Sequence, residues 1–154
     1  MATTLRASIM DRVLVLLGDI TIANGYLTDV ALVTEEIKQY NEFKPKEIPA
    51  LVPMDIGEEK ETVAIPTGSS YGQQGVLSLR VSAVVHDRYN KTRTKRLNLM
   101  QDVEKAMLND ATLKALRVWV DPARVVTDDG DIRYFSVWDQ YFDITYHYDR
   151  SNGG

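Results

Sequence analysis

Cysteine does not occur in this chain of 154 residues. That excludes disulfides, thiolate nucleophiles and thiolate zinc sites, and it suits a reducing compartment. Histidine occurs only at His86 and His147. The two could meet in the fold and bind a metal with Asp87, Asp143 or Asp149, but no HExxH or other ligand spacing supports such a site, and surface histidines at strand ends are the plainer reading. A basic excess is also missing. The net charge of −4 and the pI near 5.2 argue against a general nucleic-acid binder. No long apolar run is present, since VLVLLGDITIA is cut by Asp19 and preceded by Asp11 and Arg12. It falls well short of the ~20 apolar residues that span a bilayer. A soluble helix is expected there, and no membrane partner.

Motifs of chemistry are equally scarce. There is no G-x-S-x-G elbow, and the glycines at 68, 72 and 75 lack the Lys-Ser/Thr ending of a phosphate-binding loop. No cofactor is expected, and no enzymatic activity. What remains is a globular composition, with 44% hydrophobic and 26% charged residues, in a length that suits one domain spanning 1–154. Such a domain buries roughly 68–70% of its unfolded surface.

Periodicity orders that domain. Leu5, Ile9, Val13, Leu16 or Leu17, and Ile20 recur in steps of three and four, which predicts a first helix closed near Asn24-Gly25. Gly18 inside it costs about 1 kcal/mol relative to Ala, so close packing is expected there. Val30 to Tyr40 reads as a strand, followed by a connection broken at Pro45 and Pro49. Leu51 to Ile65 reads as a hairpin whose acidic turn, Asp55 to Glu61, lies in water. The alternation of Leu77, Leu79, Val81, Ala83 and Val85 with Ser78, Arg80, Ser82, Val84 and His86 predicts a strand with one buried and one mostly polar face. Leu99, Met100, Val103, Ala106 and Met107 predict a second helix ending near Asp110. Two short β-prone runs, Arg117 to Val120 and Arg124 to Val126, flank Asp121-Pro122. An Asp-Gly turn at Thr127 to Asp131 then leads to a last strand with Phe142, Ile144, Tyr146 and Tyr148 on one face. The expected fold is α+β, a mostly antiparallel sheet with two main helices on one face.

Three features stand out as candidate contact surfaces. Arg88, Lys91, Arg93, Lys95 and Arg96 fall within nine residues that hold no acid, in a chain that is acidic overall. A solvated loop accounts for such a run, and so does an interface with an acidic neighbour. Acids at Asp55, Glu58, Glu59 and Glu61, and at Asp128, Asp129 and Asp131, offer the counterpart on an identical subunit. Such head-to-tail contacts make rings when the rotation closes. The segment Gly68, Ser69, Ser70, Tyr71, Gly72, Gln73, Gln74 and Gly75 reads either as a hairpin connection or as an arm that docks a partner.

The helix carrying VLVLL, the strand LSLRVSAVV, the helix LMQDVEKAMLND with its following ATL, and the closing strand YFDITYHY occur in an order that resembles the tail terminator (tail completion) proteins of long-tailed bacteriophages. Members often place glycines after the T-L step, where this chain has Lys114-Ala115-Leu116. The resemblance implies a virion structural protein at the tail-neck junction, assembled in the host cytoplasm. It would form a ring, typically a hexamer, that caps the tail tube, ends its polymerisation and offers a docking surface to the neck. The implied partners are further copies of the chain, the tail tube protein, a neck or connector protein and, in a contractile tail, the sheath protein. Genomic DNA would pass through an acidic bore without specific binding. Two other classes stand beside it: another neck component, such as a head-closure or connector protein, and a small ligand-binding or enzymatic α+β domain with a cleft at His86 or His147.

Overall fold

A computed structural model describes residues 4–64, 71–128 and 130–148. The chain opens with α1 (Leu5–Gly18), where the Thr4 side chain accepts the Ala7 N–H as N-cap. Ile9, Val13, Leu16 and Leu17 form its buried stripe. The helix ends at Gly18, earlier than expected, because Thr21 takes an extended conformation and caps a separate 3-10 turn at Ile22–Asn24. Gly25 closes that turn with φ of 87°. Gly18 therefore does not serve close packing, as a Cβ there would meet nothing within 4 Å.

The expected strand from Val30 to Tyr40 shrinks to β1 (Leu32–Val33), which runs parallel to the start of β2. The rest of that stretch lies outside any strand, with a 3-10 turn at Tyr40–Glu42 and another at Pro45–Glu47. The longest departure from expectation is β2 (Ala50–Ala64), a single strand where a hairpin was expected. It pairs antiparallel with β3 (Tyr71–His86) from Ala50↔Val84 to Ala64↔Tyr71. The run Asp55 to Glu61 is thus strand, broken only by an irregularity between Asp55 and Gly57. Cross-strand pairing overrides the turn-like composition of the run.

Beyond β3, the chain forms α2 (Thr92–Leu108), the short α3 (Ala111–Ala115), β4 (Trp119–Thr127) and β5 (Phe135–Tyr148). The two β-prone runs around Pro122 are one strand. A bulge between Pro122 and Arg124 absorbs the proline, as an outer strand permits. The sheet has five strands in the order β1-β2-β3-β5-β4, with β1 parallel and every other pair antiparallel. The α+β class and the two main helices stand.

The helices cover one face. Leu77, Leu79, Val81, Ala83 and Val85 of β3 and Trp138, Phe142, Ile144 and Tyr146 of β5 join α1 and α2 in one buried cluster. The opposite face is less polar than expected at one end, where Val84 is buried with Phe43, Ala50 and Val52. Gln140 and Asp102, two polar side chains buried in the main core, are paired. Gln140 accepts the Trp138 indole N–H at 3.1 Å and donates to the Met100 carbonyl at 3.1 Å, tying β5 to α2. Asp102 of α2 accepts the Leu27 N–H at 3.0 Å. That bond holds the loop after α1 in place.

Two contacts yield measurable expectations. A Cβ on Gly75 would lie 2.6 Å from ring atoms of Tyr146. That ring is fully buried, and its hydroxyl is held by Glu58 and Arg6, so it cannot swing aside. Gly75→Ala is expected to cost about 1–3 kcal/mol, the range of core overpacking, read as a lower urea midpoint at unchanged slope.

Asp110 caps α3 by accepting the Leu113 N–H and takes both Nε and Nη2 of Arg12 at 2.9 and 2.7 Å. The hydrogen bond from Arg12 holds its carboxyl below the ordinary 3.8, against the opposing effect of burial. A depressed folded pKa makes this contribution complete above the ordinary value and lost as pH falls below it. Asp110→Ala is expected to cost about 1–2 kcal/mol at neutral pH, the size of a lost cap. The variant should also lose less further stability than the parent below about pH 4, as followed by circular dichroism across an acid titration.

Candidate interaction surfaces

The basic tract divides in two. Its first part is a turn in which Asp87 Oδ1 accepts the Tyr89 and Lys91 N–H groups at 2.8 and 3.3 Å. The Tyr89 N–H holds the Asp87 carboxyl below its usual range, with Lys95 assisting. The second part is not a loop leading into a helix but the first turns of α2 itself. An anion at Asp87 offsets the unfavourable meeting of cations with the positive end of the helix dipole. Lys95 Nζ donates to the His86 carbonyl at 2.9 Å and pairs with Asp87 at 3.2 Å. Arg96 reaches the buried Ser136 hydroxyl at 3.4 Å. Arg88, Lys91 and Arg93 face solvent, with Arg88 lying over the Tyr89 ring.

The acidic candidates separate too. Glu58 belongs to the interior network, since Arg6 Nε donates to both its oxygens at 3.0 and 2.9 Å and the Tyr146 hydroxyl donates to it as well. Asp55, Glu59 and Glu61 are exposed along β2, with Glu61 accepting from Gln74 Nε2 at 3.0 Å. Asp128 shapes the β4–β5 turn by accepting the Gly130 and Val137 N–H groups at 3.1 and 3.2 Å. Asp131 is exposed beside it. Asp129, Gly68, Ser69 and Ser70 lie outside the described residues, as does Asp149. Tyr71, Gly72, Gln73, Gln74 and Gly75 are strand β3 rather than loop. Gly75 is there because Tyr146 crosses it.

The two histidines are far apart. His86 pairs across the ladder with Phe135, while His147 pairs with Gln74, twelve residues along the same strand. At about 3.4 Å per residue that is on the order of 40 Å, so they cannot share a metal. Among the described residues no group of three acids or histidines is placed to hold one, and no helix is long and apolar enough to cross a membrane.

Two surfaces carry no motif in the sequence. The first is a cleft of about 390 Å³ beside His86, lined by Leu27, Phe43, Ile48, Val85 and Phe135 among others. The charged groups on its rim are engaged within the chain, with Asp29 accepting the Ile22 N–H at 2.8 Å and Lys95 bound as described. Such a cleft fits an apolar side chain or a small apolar ligand.

The second surface is the pair of sheet edges. β4 is outermost and exposed along most of its length, including Trp119 at 53%, Val125 at 43% and Val126 at 47%. β2 is paired with β1 only at Ala50 and Leu51, Val52 and Pro53 just beyond are buried, and its outer edge is exposed from Asp55 onward. β-Branched residues around Pro122 hinted at an outer strand. Pro53 and the charged run from Asp55 to Glu61 are the corresponding signs in β2.

Compared with known proteins, the chain matches no family model and no curated protein.

The division of the basic tract makes an expectation. Reversing Arg88, Lys91 and Arg93 to Glu should leave thermal unfolding nearly unchanged, because exposed charges contribute little. Reversing Lys95 and Arg96 should lower the midpoint, because it sets Glu against Asp87 and beside the buried Ser136. Equal midpoints for the triple and the double variant would show that the inner pair has no structural role.

Proposed function

We propose that this protein is a structural subunit that assembles into a ring, a hexamer by its resemblance to tail terminators, and caps the tail tube of a long-tailed bacteriophage. The observation that carries this reading is the sheet with two open and unlike edges. One edge is acidic through Asp55, Glu59 and Glu61, and the other is largely apolar through Trp119, Val125 and Val126, with Asp121 and Arg124 balanced in charge. Unlike edges on one molecule favour head-to-tail association, which closes into rings. The elements that carry the resemblance are α1, β3, α2 with α3, and β5, with Thr112-Leu113 inside α3 and Leu113 buried.

In this reading the ring acts by surface complementarity and performs no catalysis. One face matches the last ring of tube subunits, and the other refuses another tube ring and receives the neck or connector protein. A sheath protein is a further partner in a contractile tail. Away from the helices, the open sheet face bears Glu59, Glu61, Asp121, Asp139 and Asp143 against Arg80 and Arg124. An acidic face of this kind suits a bore through which DNA passes without sticking. The protein would reside in the virion at the tail-neck junction, after assembly in the host cytoplasm.

The cleft beside His86 favours a second reading, a ligand-binding domain. Genetic removal of the protein separates the two. A terminator's loss is expected to leave polymerised tubes of variable or excessive length that do not join filled heads, with joining restored by adding the purified protein. Uniform tails that still join heads in its absence would remove the terminator reading and leave the cleft as the better guide.

A further inference from the structure

The pairing registers relate the two open edges level by level. Glu59 pairs with Val76, Val76 with Thr145, and Thr145 with Trp119. At the other end, Val52 pairs with Ser82, Ser82 with Asp139, and Asp139 with Val126. Residues 52–59 of β2 and 119–126 of β4 therefore span the same height on opposite sides of the sheet. Each carries one bulge, between Asp55 and Gly57 in β2 and between Pro122 and Arg124 in β4. The two bulges fall at neighbouring levels, beside the shared row Asp55–Leu79–Phe142–Pro122.

Strand direction adds a second constraint. Since β2, β3, β5 and β4 alternate, β2 and β4 run in opposite directions. A copy placed beside another in the same orientation thus brings β4 against β2 antiparallel, the more stable ladder.

We infer that β4 of one copy pairs with β2 of the next, so that the sheet continues from subunit to subunit around the ring. This rests on the ring reading and names its contact. At level register Trp119 faces Glu59, Asp121 faces Gly57, Arg124 faces Met54 beside Asp55, Val125 faces Pro53 and Val126 faces Val52. No like charges sit directly opposite, and because Val52 and Pro53 are already buried within their own chain, the exposed part of the contact runs from Met54 to Glu59 against Trp119 to Arg124. Arg124 approaches the acidic edge, and Arg117, exposed just before β4, lies toward the end of the edge that holds Glu59 and Glu61. For an axis along the strands, level contact closes the ring, whereas a shift would add rise and open it into a helix.

Bulges and prolines on both edges discourage pairing with arbitrary strands. They leave a partner whose irregularities match. A second copy is the partner that carries the matching pair.

The absence of native cysteine makes the test direct. Directly opposed residues in an antiparallel pair have Cβ atoms about 4.5–5.5 Å apart, near enough for oxidation to trap a disulfide with little movement. Glu59→Cys and Trp119→Cys combined in one chain should give a ladder of covalent multimers after oxidation of concentrated protein, and either change alone should give none. Glu59→Cys with Val126→Cys, which level antiparallel pairing keeps far apart, should also give none. A ladder from that control would mean parallel pairing, and covalent dimers from Trp119→Cys alone would mean a symmetric β4–β4 contact. Either result overturns the inference. Native mass spectrometry separates the remaining failures: a ring without the ladder overturns the edge contact and keeps the ring, while monomer without the ladder overturns the contact and counts against the ring.

Discussion

The β3–β5 ladder is the contact on which the other elements depend. It runs from Gln73↔Tyr148 to His86↔Phe135 without a register break. Its helix-side residues supply the floor against which α1 and α2 bury their stripes. β2 and β4 are laid on either flank, each interrupted by a bulge. The uninterrupted pair holds the twist and height of the sheet, and the bulged strands adapt to it.

Side-chain ties then fix the helices to this frame at separated points. Arg6 at the start of α1 reaches Glu58 on β2 and the hydroxyl of Tyr146 on β5. Arg12, two turns on, holds Asp110 between α2 and α3. Gln140 joins β5 to α2 from within the core. Each tie satisfies a polar group that would be costly to bury alone. Arg12 spans the two helices, and Arg6 ties α1 to two strands, so shifting α1 along the sheet would break both.

Elements governed by local periodicity were legible from the residues. The two-residue alternation from Leu77 to Val85 and the helical spacing from Leu99 to Met107 correspond to buried faces of β3 and α2. Elements governed by partners were not. Asp55 to Glu61 has the composition of a turn, and only its pairing with β3 makes it a strand. Val84 lies on the face expected to be polar, and is buried because Phe43 and its neighbours fold over it. Among the candidate contact residues, Glu58, Lys95 and Arg96 proved to be engaged within the chain. Pro53 and Pro122 are compatible with outer strands, but how much of each edge stays open depends on sheet order and on how little of β2 is paired with β1.

The two tryptophans occupy opposite environments, Trp138 in the core with its indole N–H bonded to Gln140 and Trp119 on the outer strand with its ring edge-on to His147 at 5.7 Å. The molecule therefore carries two intrinsic fluorophores with separate duties. Emission from the inner indole follows unfolding, and emission from the outer one follows whatever covers β4. Because these are the chain's only tryptophans, substituting one spectrally isolates the other, and a single unlabelled sample can report integrity and association by colour.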